Sequence, residues 1–331
     1  MAVLVASGWI YQLVGAAGDC RRYPPPGRLI DIGGRRLHLY EVGQGRPVVF
    51  ESGISATCLN WTTVQSQVAR FARACSYDRA SLGWSDPAGS RRTLTDMVED
   101  LHTLLAAGGA STPVILVGHS FGGLLIRAYA VRYPHQVAGL VLVDPVSTAE
   151  WSNVAPARAR MLAHGVMLAR RGALLARLGV VRASVALLIR GGRKVPQGIA
   201  RLTSGQGESV ISRIVGEVRK MPPEVWPMIQ AHWCLPKSFL GLADHLAELP
   251  AAAAEGNELA LPSEIPITIL SAATATPHET AERDSWIARS PHAKHIVAAM
   301  SGHWVHLDEP ELVVQAIREM LELTGDAATA S

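Results

Sequence analysis

The segment VILVGHSFGG, residues 114–123, places one serine where it could act as a nucleophile. Ser120 stands between Gly118 and Gly122, after a run of apolar, mostly β-branched residues and before a predicted helix. Glycines permit a sharp turn at which larger side chains would clash, so the Ser120 hydroxyl is presented at the end of a buried strand. A helix N-terminus at this point also favours developing negative charge. The segment therefore predicts a nucleophilic serine rather than a serine that only completes a turn.

Two further side chains follow predicted strands and would complete the chemistry that a serine needs. Asp144 follows the apolar strand 136–143, and His303 follows the strand 295–298. A serine hydroxyl is a weak nucleophile until a base takes its proton, and imidazole is the base matched to neutral pH. A carboxylate then orients the imidazole and stabilises its charged form. Because ligands bind beyond the carboxyl ends of strands in an open α/β sheet, we expect Ser120, Asp144 and His303 to meet there.

Acyl transfer also needs two N–H donors for the negatively charged oxygen of the transition state. The residue after the nucleophile, Phe121, supplies one of them. The other should follow an earlier strand, and the segment VVFESGISATCLNW (residues 48–61) contains a strand that ends before Gly53. We therefore assign the second donor to the backbone of Ile54.

The apolar runs around these residues predict an α/β fold. Strands 29–32 and 36–41 form a predicted hairpin, and later strands alternate with helices; they cover residues 47–51, 75–77, 114–117, 136–143, 266–270 and 295–298. Buried strands separated by helices imply parallel βαβ units with both faces of the sheet covered. The last predicted helix runs from about residue 309 to residue 323.

The alternation stops between residues 147 and 258, which are rich in Ala, Leu and Arg and show no pattern of a buried strand. We interpret this stretch as a helical lid inserted into a core of residues 24–146 and 259–331. Its basic residues indicate either a solvated face or a surface that rests on anionic lipid. They are Arg170, Arg171, Arg177, Arg182, Arg190 and Arg193.

Residues 1–23 form an apolar N-terminal segment with two interpretations. Its apolar part, residues 2–17, is shorter than the roughly 20 residues needed to span a bilayer and lacks the basic start of a signal peptide. It either packs on the protein's own surface or attaches peripherally to a membrane. Arg21 and Arg22 follow it, which would leave the large domain in the cytoplasm.

Charge and cysteine usage exclude some classes of function. A net charge of +3 over 331 residues is too weak to indicate nucleic acid as a partner. The four cysteines are scattered and form no C-x-x-C motif, which argues against a disulfide framework or a zinc site and favours a reducing, cytoplasmic compartment. The sequence does not specify an oligomeric state.

Together these segments resemble the α/β-hydrolase superfamily, specifically its lidded single-domain hydrolases. The resemblance extends from about Pro24 to Leu323 and includes ESG before the oxyanion residue, YDRASLGWSD (77–86), GHSFGG (118–123), LVLVDP (140–145) and SGHWVHLDEPE (301–311). It implies a mostly parallel eight-stranded sheet with helices on both faces and an inserted lid. It also implies a serine hydrolase that works through an acyl-enzyme intermediate and uses neither a cofactor nor a metal.

The chain departs from common members of that superfamily in two places. Relatives often read His-Gly where this chain has Ser52-Gly53. They also often carry the acid after the penultimate strand, where this chain has no carboxylate before Glu279. We therefore place the acid at Asp144, a position also used in the superfamily. Asp284 and Glu279 are the reserve candidates.

Other residues near these motifs have a functional and a structural interpretation. Trp61 and Trp84 are predicted to line the acyl pocket, although core packing explains them equally well. Asp78 and Arg79 are predicted to join loops through a buried ion pair. His306 is expected to be structural, and a metal site that joins it to His303 is disfavoured because the helical H-E-x-x-H pattern is absent.

The expected substrate is a carboxylic ester of a small or medium hydrophobic acid, because the predicted lid is aliphatic and aromatic residues are few. Lactones, amides, N-terminal proline peptides and carbon–carbon bonds remain alternatives for the same site. A serine at the turn argues against dehalogenase and epoxide-hydrolase chemistry, since the families that this chain resembles use an aspartate for those reactions. Two further alternatives are a non-catalytic ligand-binding protein and a lipid hydrolase at a membrane surface.

Overall fold

The computed structural model describes residues 2–110, 113–189, 216–288 and 290–325. Its centre is an eight-stranded sheet with the strand order β1-β2-β4-β3-β5-β6-β7-β8. The strands are β1 (Arg28–Asp31), β2 (Arg36–Val42), β3 (Pro47–Glu51), β4 (Arg73–Asp78), β5 (Val114–His119), β6 (Val137–Val143), β7 (Ile267–Ala272) and β8 (Ala293–Ala298). The pairs β1–β2 and β2–β4 are antiparallel, and all other pairs are parallel. The predicted mostly parallel sheet of eight strands is confirmed.

Helices cover both faces of this sheet, form the insertion between β6 and β7, and make up the N-terminal segment. They are α1 (Ala2–Arg22), α2 (Thr62–Val68), α3 (Leu94–Gly108), α4 (Phe121–Arg132), α5 (Thr148–Ser152), α6 (Pro156–Arg177), α7 (Val180–Ile189), α8 (Trp226–Trp233), α9 (Pro236–Asn257), α10 (Pro277–Ile287), α11 (Val305–Asp308) and α12 (Pro310–Leu323). Short 3-10 helices occur at Cys58–Trp61, Pro134–Gln136 and Pro223–Val225.

Strand β5 shows why its apolar run is continuous rather than alternating. Its side chains point alternately to the two faces. Leu116 packs in one hydrophobic cluster with α3 and α4, whereas Ile115 and Val117 pack in a second cluster with α2 and α12. Because both faces are buried, every position of the strand must be apolar or small. The end of β5 is therefore held firmly by the core on both sides.

The insertion between β6 and β7 contains α5 to α9 in the part of the chain that the structure describes. Helix α9 packs along α6 and α5 and also contacts α4, the helix that follows Ser120. Arg190 and Arg193, two of the lid arginines named above, lie outside the described residues, as do residues 326–331.

The N-terminal segment forms one helix, α1, which packs against α6 and α8. Among the described residues, no helix combines the length and the apolar character needed to cross a membrane.

Candidate active site

Ser120 occupies a strained turn between β5 and α4. Its backbone angles are φ 55° and ψ −120°, a conformation that residues other than glycine rarely adopt. A Cβ atom on Gly118 would lie 2.6 Å from the carbonyl oxygen of Gly122, and a Cβ atom on Gly122 would lie 2.5 Å from the carbonyl oxygen of Glu51. Both positions therefore require glycine, and the close packing directs the Ser120 side chain out of the core.

Backbone hydrogen bonds tie this turn to the end of β6. The N–H of Ser120 donates to the carbonyl of Val143 at 3.0 Å, and the N–H of Val146 donates to the carbonyl of Ser120 at 3.2 Å. Asp144 lies between these two partners and also has a positive φ, of 42°. These bonds fix the position of the Ser120 turn relative to the segment that carries Asp144.

Asp144 and His303 form a direct hydrogen bond. Oδ2 of Asp144 lies 2.6 Å from Nδ1 of His303. The other carboxylate oxygen accepts from the N–H of Ala272 at 3.0 Å and lies 3.0 Å from Nη1 of Arg283. Burial by itself would raise the pKa of Asp144, but the His303 hydrogen bond and the Arg283 charge hold it below its usual value. The carboxylate is therefore ionised and accepts from Nδ1, which leaves Nε2 of His303 available to a reacting group.

The two reserve carboxylates have other partners. Oδ1 of Asp284 lies 3.1 Å from Nδ1 of His295 on the protein surface. Glu279 caps the start of α10, where its side chain accepts from the backbone N–H of Thr276. Of the three carboxylates considered, the structure pairs Asp144 with His303.

His119 connects the serine turn to His303. Its Nε2 donates to the backbone carbonyl of His303 at 2.8 Å, and the two imidazole rings lie 4.7 Å apart between centroids. Burial and the neighbouring histidines His306 and His303 hold the pKa of His119 well below its usual value, so it stays neutral. His306 is also buried, with a pKa lowered to about 3 by burial and by His303. The His303 side chain, in contrast to the buried side chains of His119 and His306, is 39% exposed.

The loop that carries the predicted second N–H donor lies against the serine turn. A Cβ atom on Gly53 would lie 3.4 Å from Cβ of Ser120 and 3.0 Å from Nδ1 of His119. Arg79 holds this loop from the other side: its Nη1 donates to the carbonyl of Ser52 at 2.6 Å and its Nη2 donates to the carbonyl of Gly53.

A buried carboxylate fixes Arg79 in turn. Glu51 is fully buried and forms an ion pair with Arg79, while the hydroxyl of Tyr77 donates to the same carboxylate. In a trans peptide the C=O and N–H groups point in opposite directions. Because Arg79 binds the Gly53 carbonyl, the N–H of Ile54 in the same peptide unit points away from Arg79.

The two predicted pocket tryptophans have other surroundings. Trp61 is fully buried between Phe50 and His306, and its Nε1 donates to Ser52 Oγ at 3.1 Å. Its assignment to the acyl pocket is wrong, because a side chain with no exposed surface cannot contact a substrate. Trp84 packs against His38 and donates to the carbonyl of Tyr23 at 3.0 Å, so its place in an acyl pocket stays a prediction.

The predicted ion pair between Asp78 and Arg79 is also corrected. Both side chains are buried, but Asp78 lies 2.8 Å from Nδ1 of His38, and Arg79 pairs with Glu51. Asp78 is the last residue of β4 and Arg79 follows the strand, and the two side chains bind different partners.

Of the described residues, His38, Cys58 and Asp78 form a group whose potential metal-ligand atoms lie within 4.8 Å of one another. All three are buried and already share hydrogen bonds, including one from the Cys58 backbone N–H to Asp78 Oδ1 at 2.8 Å. The His38–Asp78 bond occupies the ligand atoms of both residues, so a structural role accounts for the group.

Sequence reasoning missed two residues of the site. They are Arg283 and Glu51. Arg283 is one of several charged residues on α10, so nothing in the sequence distinguishes it. Glu51 is a carboxylate at the end of a strand that is otherwise apolar. A buried carboxylate requires a partner, so Glu51 could have pointed to a cation such as Arg79.

The sheet, the strained serine turn and the His303–Asp144 pair define a class of protein. The model of the alpha/beta hydrolase family matches residues 48–316, and the chain belongs to this family.

Particular relatives cover only part of the sequence. The chain is 38% identical over 124 residues to 2-hydroxy-6-oxo-2,4-heptadienoate hydrolase of Pseudomonas putida, a match that covers 36% of this chain and 45% of that protein. It thus spans less than half the length of this relative. It is 28% identical over 131 residues to haloalkane dehalogenase of Sphingobium indicum, covering 38% of this chain and 44% of that protein.

Solved structures match over more of the chain. A thermophilic esterase from Thermogutta terrifontis, with malate bound, has a TM-score of 0.58 at 22% identity and covers 90% of this chain and 98% of its own. An alpha/beta hydrolase fold protein from Burkholderia ambifaria has a TM-score of 0.62 at 19% identity and covers 88% of this chain and 99% of its own. At these identities the similarity establishes the fold alone.

Proposed function

We propose that this protein is a serine hydrolase that cleaves carboxylic esters through an acyl-enzyme intermediate. Ser120 is the nucleophile, His303 the general base and acid, and Asp144 the residue that orients the imidazole. The observation that carries the proposal is the 2.6 Å hydrogen bond between Asp144 and Nδ1 of His303, next to the strained serine turn. That hydrogen bond selects the tautomer in which Nε2 of His303 can accept a proton.

The reaction proceeds in two stages. In the first, Ser120 Oγ attacks the ester carbonyl while His303 takes its proton, and His303 then gives that proton to the departing alcohol. In the second, water attacks the acyl-enzyme with His303 again as base, and the acid product leaves. The ionised carboxylate of Asp144 stabilises the imidazolium in both stages.

The backbone N–H groups of Ile54 and Phe121 bind the oxyanion. Phe121 is the first residue of α4, and the first N–H groups of a helix have no intrahelical acceptor. The Ile54 N–H points away from Arg79 because Arg79 binds the carbonyl of the same peptide unit. The close approach of Gly53 to Ser120 supports the placing of this peptide beside the nucleophile. Helices α5 to α9 serve as the lid.

A second candidate is hydrolysis of a carbon–carbon bond in a 2-hydroxy-6-oxo-dienoate. The observation that favours it is the 38% identity to the Pseudomonas putida hydrolase. Such a substrate is an anion and calls for a cation that is not already neutralised. Within the part of the chain that the structure describes, the two arginines that contact the backbone around the site, Arg79 and Arg283, are paired with Glu51 and Asp144. This pairing favours the neutral ester.

An activity screen tests the proposal. We expect turnover of p-nitrophenyl esters with short to medium acyl chains and labelling by a fluorophosphonate. Ser120→Ala should abolish both, while the matched control Ser66→Ala, at an exposed serine on α2, should leave both unchanged. The screen also includes lactones, aminoacyl amides and a 2-hydroxy-6-oxo-dienoate as substrates. Ester turnover that survives Ser120→Ala would refute the proposal, and turnover of the dienoate alone would select the second candidate.

A further inference from the structure

Most large apolar side chains of helix α1 are exposed to solvent. Seven of them keep between 45% and 77% of their surface exposed: Val3, Val5, Trp9, Ile10, Tyr11, Leu13 and Val14. Single exposed apolar residues are common on proteins, but a contiguous group on one helix marks an interaction surface. This group is called the apolar face of α1 below.

The side of α1 that packs on the protein is small and polar. It consists of residues at helical spacing, namely Gly8, Gln12, Gly15 and Asp19. Gln12 is buried, and its Nε2 donates to the carbonyl of Cys234 at 2.8 Å. Arg182 on α7 donates to Gln12 Oε1 at 3.0 Å and to Asp19 Oδ2 at 2.6 Å. These specific bonds fix which side of the helix is docked.

Close backbone packing prevents α1 from rotating to bury its apolar face. A Cβ atom on Gly8 would lie 2.3 Å from the carbonyl oxygen of Leu178, and one on Gly15 would lie 2.6 Å from Cδ of Arg182. Only glycines allow this approach, so a rotated helix with larger side chains at the contact could not sit at the same distance. The apolar face is therefore a stable feature of the surface.

The surface next to α1 is basic. Residues 151–189 contain six arginines and no aspartate or glutamate. Arg160, Arg170, Arg171 and Arg177 lie exposed on α6, whose C-terminal end contacts α1. Arg21 and Arg22, at the end of α1 itself, are also exposed.

We propose that the apolar face of α1 and the exposed arginines of α6 dock this protein onto an anionic phospholipid bilayer. An apolar helix face with arginines beside it is the composition of helices that lie in the plane of a membrane interface. Anionic headgroups attract the arginines, and apolar side chains, with Trp9 among them, enter the boundary between headgroups and acyl chains. The arginines also argue against a second copy as the partner, because a two-fold contact through this surface would bring like charges together.

Cosedimentation of the full chain with vesicles tests this proposal. We expect binding to vesicles of phosphatidylcholine mixed with phosphatidylglycerol, and weaker binding to vesicles of phosphatidylcholine alone. The variant Ile10→Gln/Leu13→Gln/Val14→Gln should lower the affinity for anionic vesicles by about tenfold or more. Its matched control is Val297→Gln/Leu323→Gln, which changes exposed apolar residues elsewhere and should bind like the wild type.

A second pair of variants tests the charge. Arg170→Gln/Arg171→Gln should weaken binding to anionic vesicles and reduce its sensitivity to salt, whereas Arg70→Gln, at an exposed arginine after α2, should not. Thermal unfolding of each variant checks that the fold is kept. Wild-type protein that does not bind anionic vesicles would overturn the proposal. So would a wild-type dimer that the triple α1 variant converts to a monomer, because a second copy would then cover the face.

Discussion

Oδ2 of Asp144 lies 2.6 Å from Nδ1 of His303, although the two residues are 159 positions apart. Asp144 follows β6 and His303 follows β8, so the contact crosses the end of β7, which lies between these strands. The backbone N–H of Ala272, the last residue of β7, donates to the other carboxylate oxygen. The end of β7 therefore supports the acid by its backbone, and the loop that follows need not supply a carboxylate of its own.

Replacement of Asp144 by asparagine should lower kcat for ester hydrolysis by roughly 10⁴-fold, because an amide can stabilise the wrong imidazole tautomer and carries no charge. Asp284→Asn is the matched control, since that carboxylate is exposed and pairs with His295. Steady-state kinetics of both variants make the comparison. If Asp284→Asn lowers kcat more than Asp144→Asn does, the catalytic acid lies in the region after β7 instead.

Arg283 is predicted to position the acid. Its guanidinium is buried, donates to Ser271 Oγ at 2.7 Å and to the carbonyl of Pro145 at 3.0 Å, and lies against Asp144. In Arg283→Gln the pKa of Asp144 should rise, because the Arg283 charge helps to hold it down. Loss of the positive charge beside the coupled His303–Asp144 pair also makes the pair easier to protonate, so the acid limb of the pH–rate profile should move to higher pH.

The same change should lower the free energy of unfolding by about 3 kcal/mol, since it leaves a buried carboxylate without its cation. Arg132→Gln is the control, because Arg132 forms an exposed ion pair with Glu99 and such pairs contribute about 1 kcal/mol or less. Urea denaturation measures the stability. If Arg283→Gln lowers the stability but leaves the acid limb of the pH–rate profile unshifted, the role of Arg283 is purely structural.

Arg79 is predicted to hold the oxyanion loop in place. In Arg79→Met/Glu51→Gln both members of the buried ion pair become neutral, so no unpaired charge remains in the core. The carbonyls of Ser52 and Gly53 lose their bonds to Arg79, and the Gly53 carbonyl keeps only a 3.3 Å bond from the Ala56 N–H, so the Ile54 N–H should lose its orientation. We expect kcat to fall by about 10²- to 10³-fold, the usual effect of one lost oxyanion donor, with little change in KM.

The control for this pair is Arg35→Met/Asp100→Asn, which removes another largely buried ion pair, between Arg35 and Asp100 on α3. It should leave kcat close to that of the wild type. If both double variants lose activity in proportion to their stability, the orienting role of Arg79 is wrong.

The free energy of unfolding should rise with pH through the acid range and level off above about pH 6.5, the usual pKa of histidine. Four buried histidines have lowered pKa values because burial disfavours their charged form: His119, His232 (about 4), His245 and His306 (about 3). Below about pH 6.5 the unfolded chain binds protons at these sites and the folded chain does not. Each site then lowers the free energy of unfolding by up to about 1.4 kcal/mol per pH unit as the pH falls.

His38 acts in the opposite direction. Burial lowers its pKa, but the Asp78 carboxylate more than compensates, so its pKa is raised. Its contribution is complete below about pH 6.5 and is lost as the pH rises through the raised value. Denaturant unfolding at a series of pH values measures the curve. His306→Gln should flatten the acid side, whereas His135→Gln, at an exposed histidine, should not; equal slopes would contradict the assignment.

The local pattern of residues was enough to predict the sheet, the serine turn and the order of the candidate residues. The run Val114–Val117 predicts a strand buried on both faces, and the glycines beside Ser120 predict a sharp turn. Both inferences depend only on neighbours in the chain. Because parallel strands end at one edge of a sheet, the same pattern also indicates where Ser120, Asp144 and His303 lie.

Tertiary structure decided which side chains meet. Only the order of strands, with β7 between β6 and β8, shows that Asp144 reaches His303 while Asp284 turns to His295. Likewise, the burial of Trp61 depends on residues far away in the chain. Composition could show that α1 is apolar, but its outward-facing side follows from the fit of two glycines against α6 and α7. The local pattern of residues determines the conformation of a segment. The contacts that its side chains make depend on surfaces that form only when distant segments pack together.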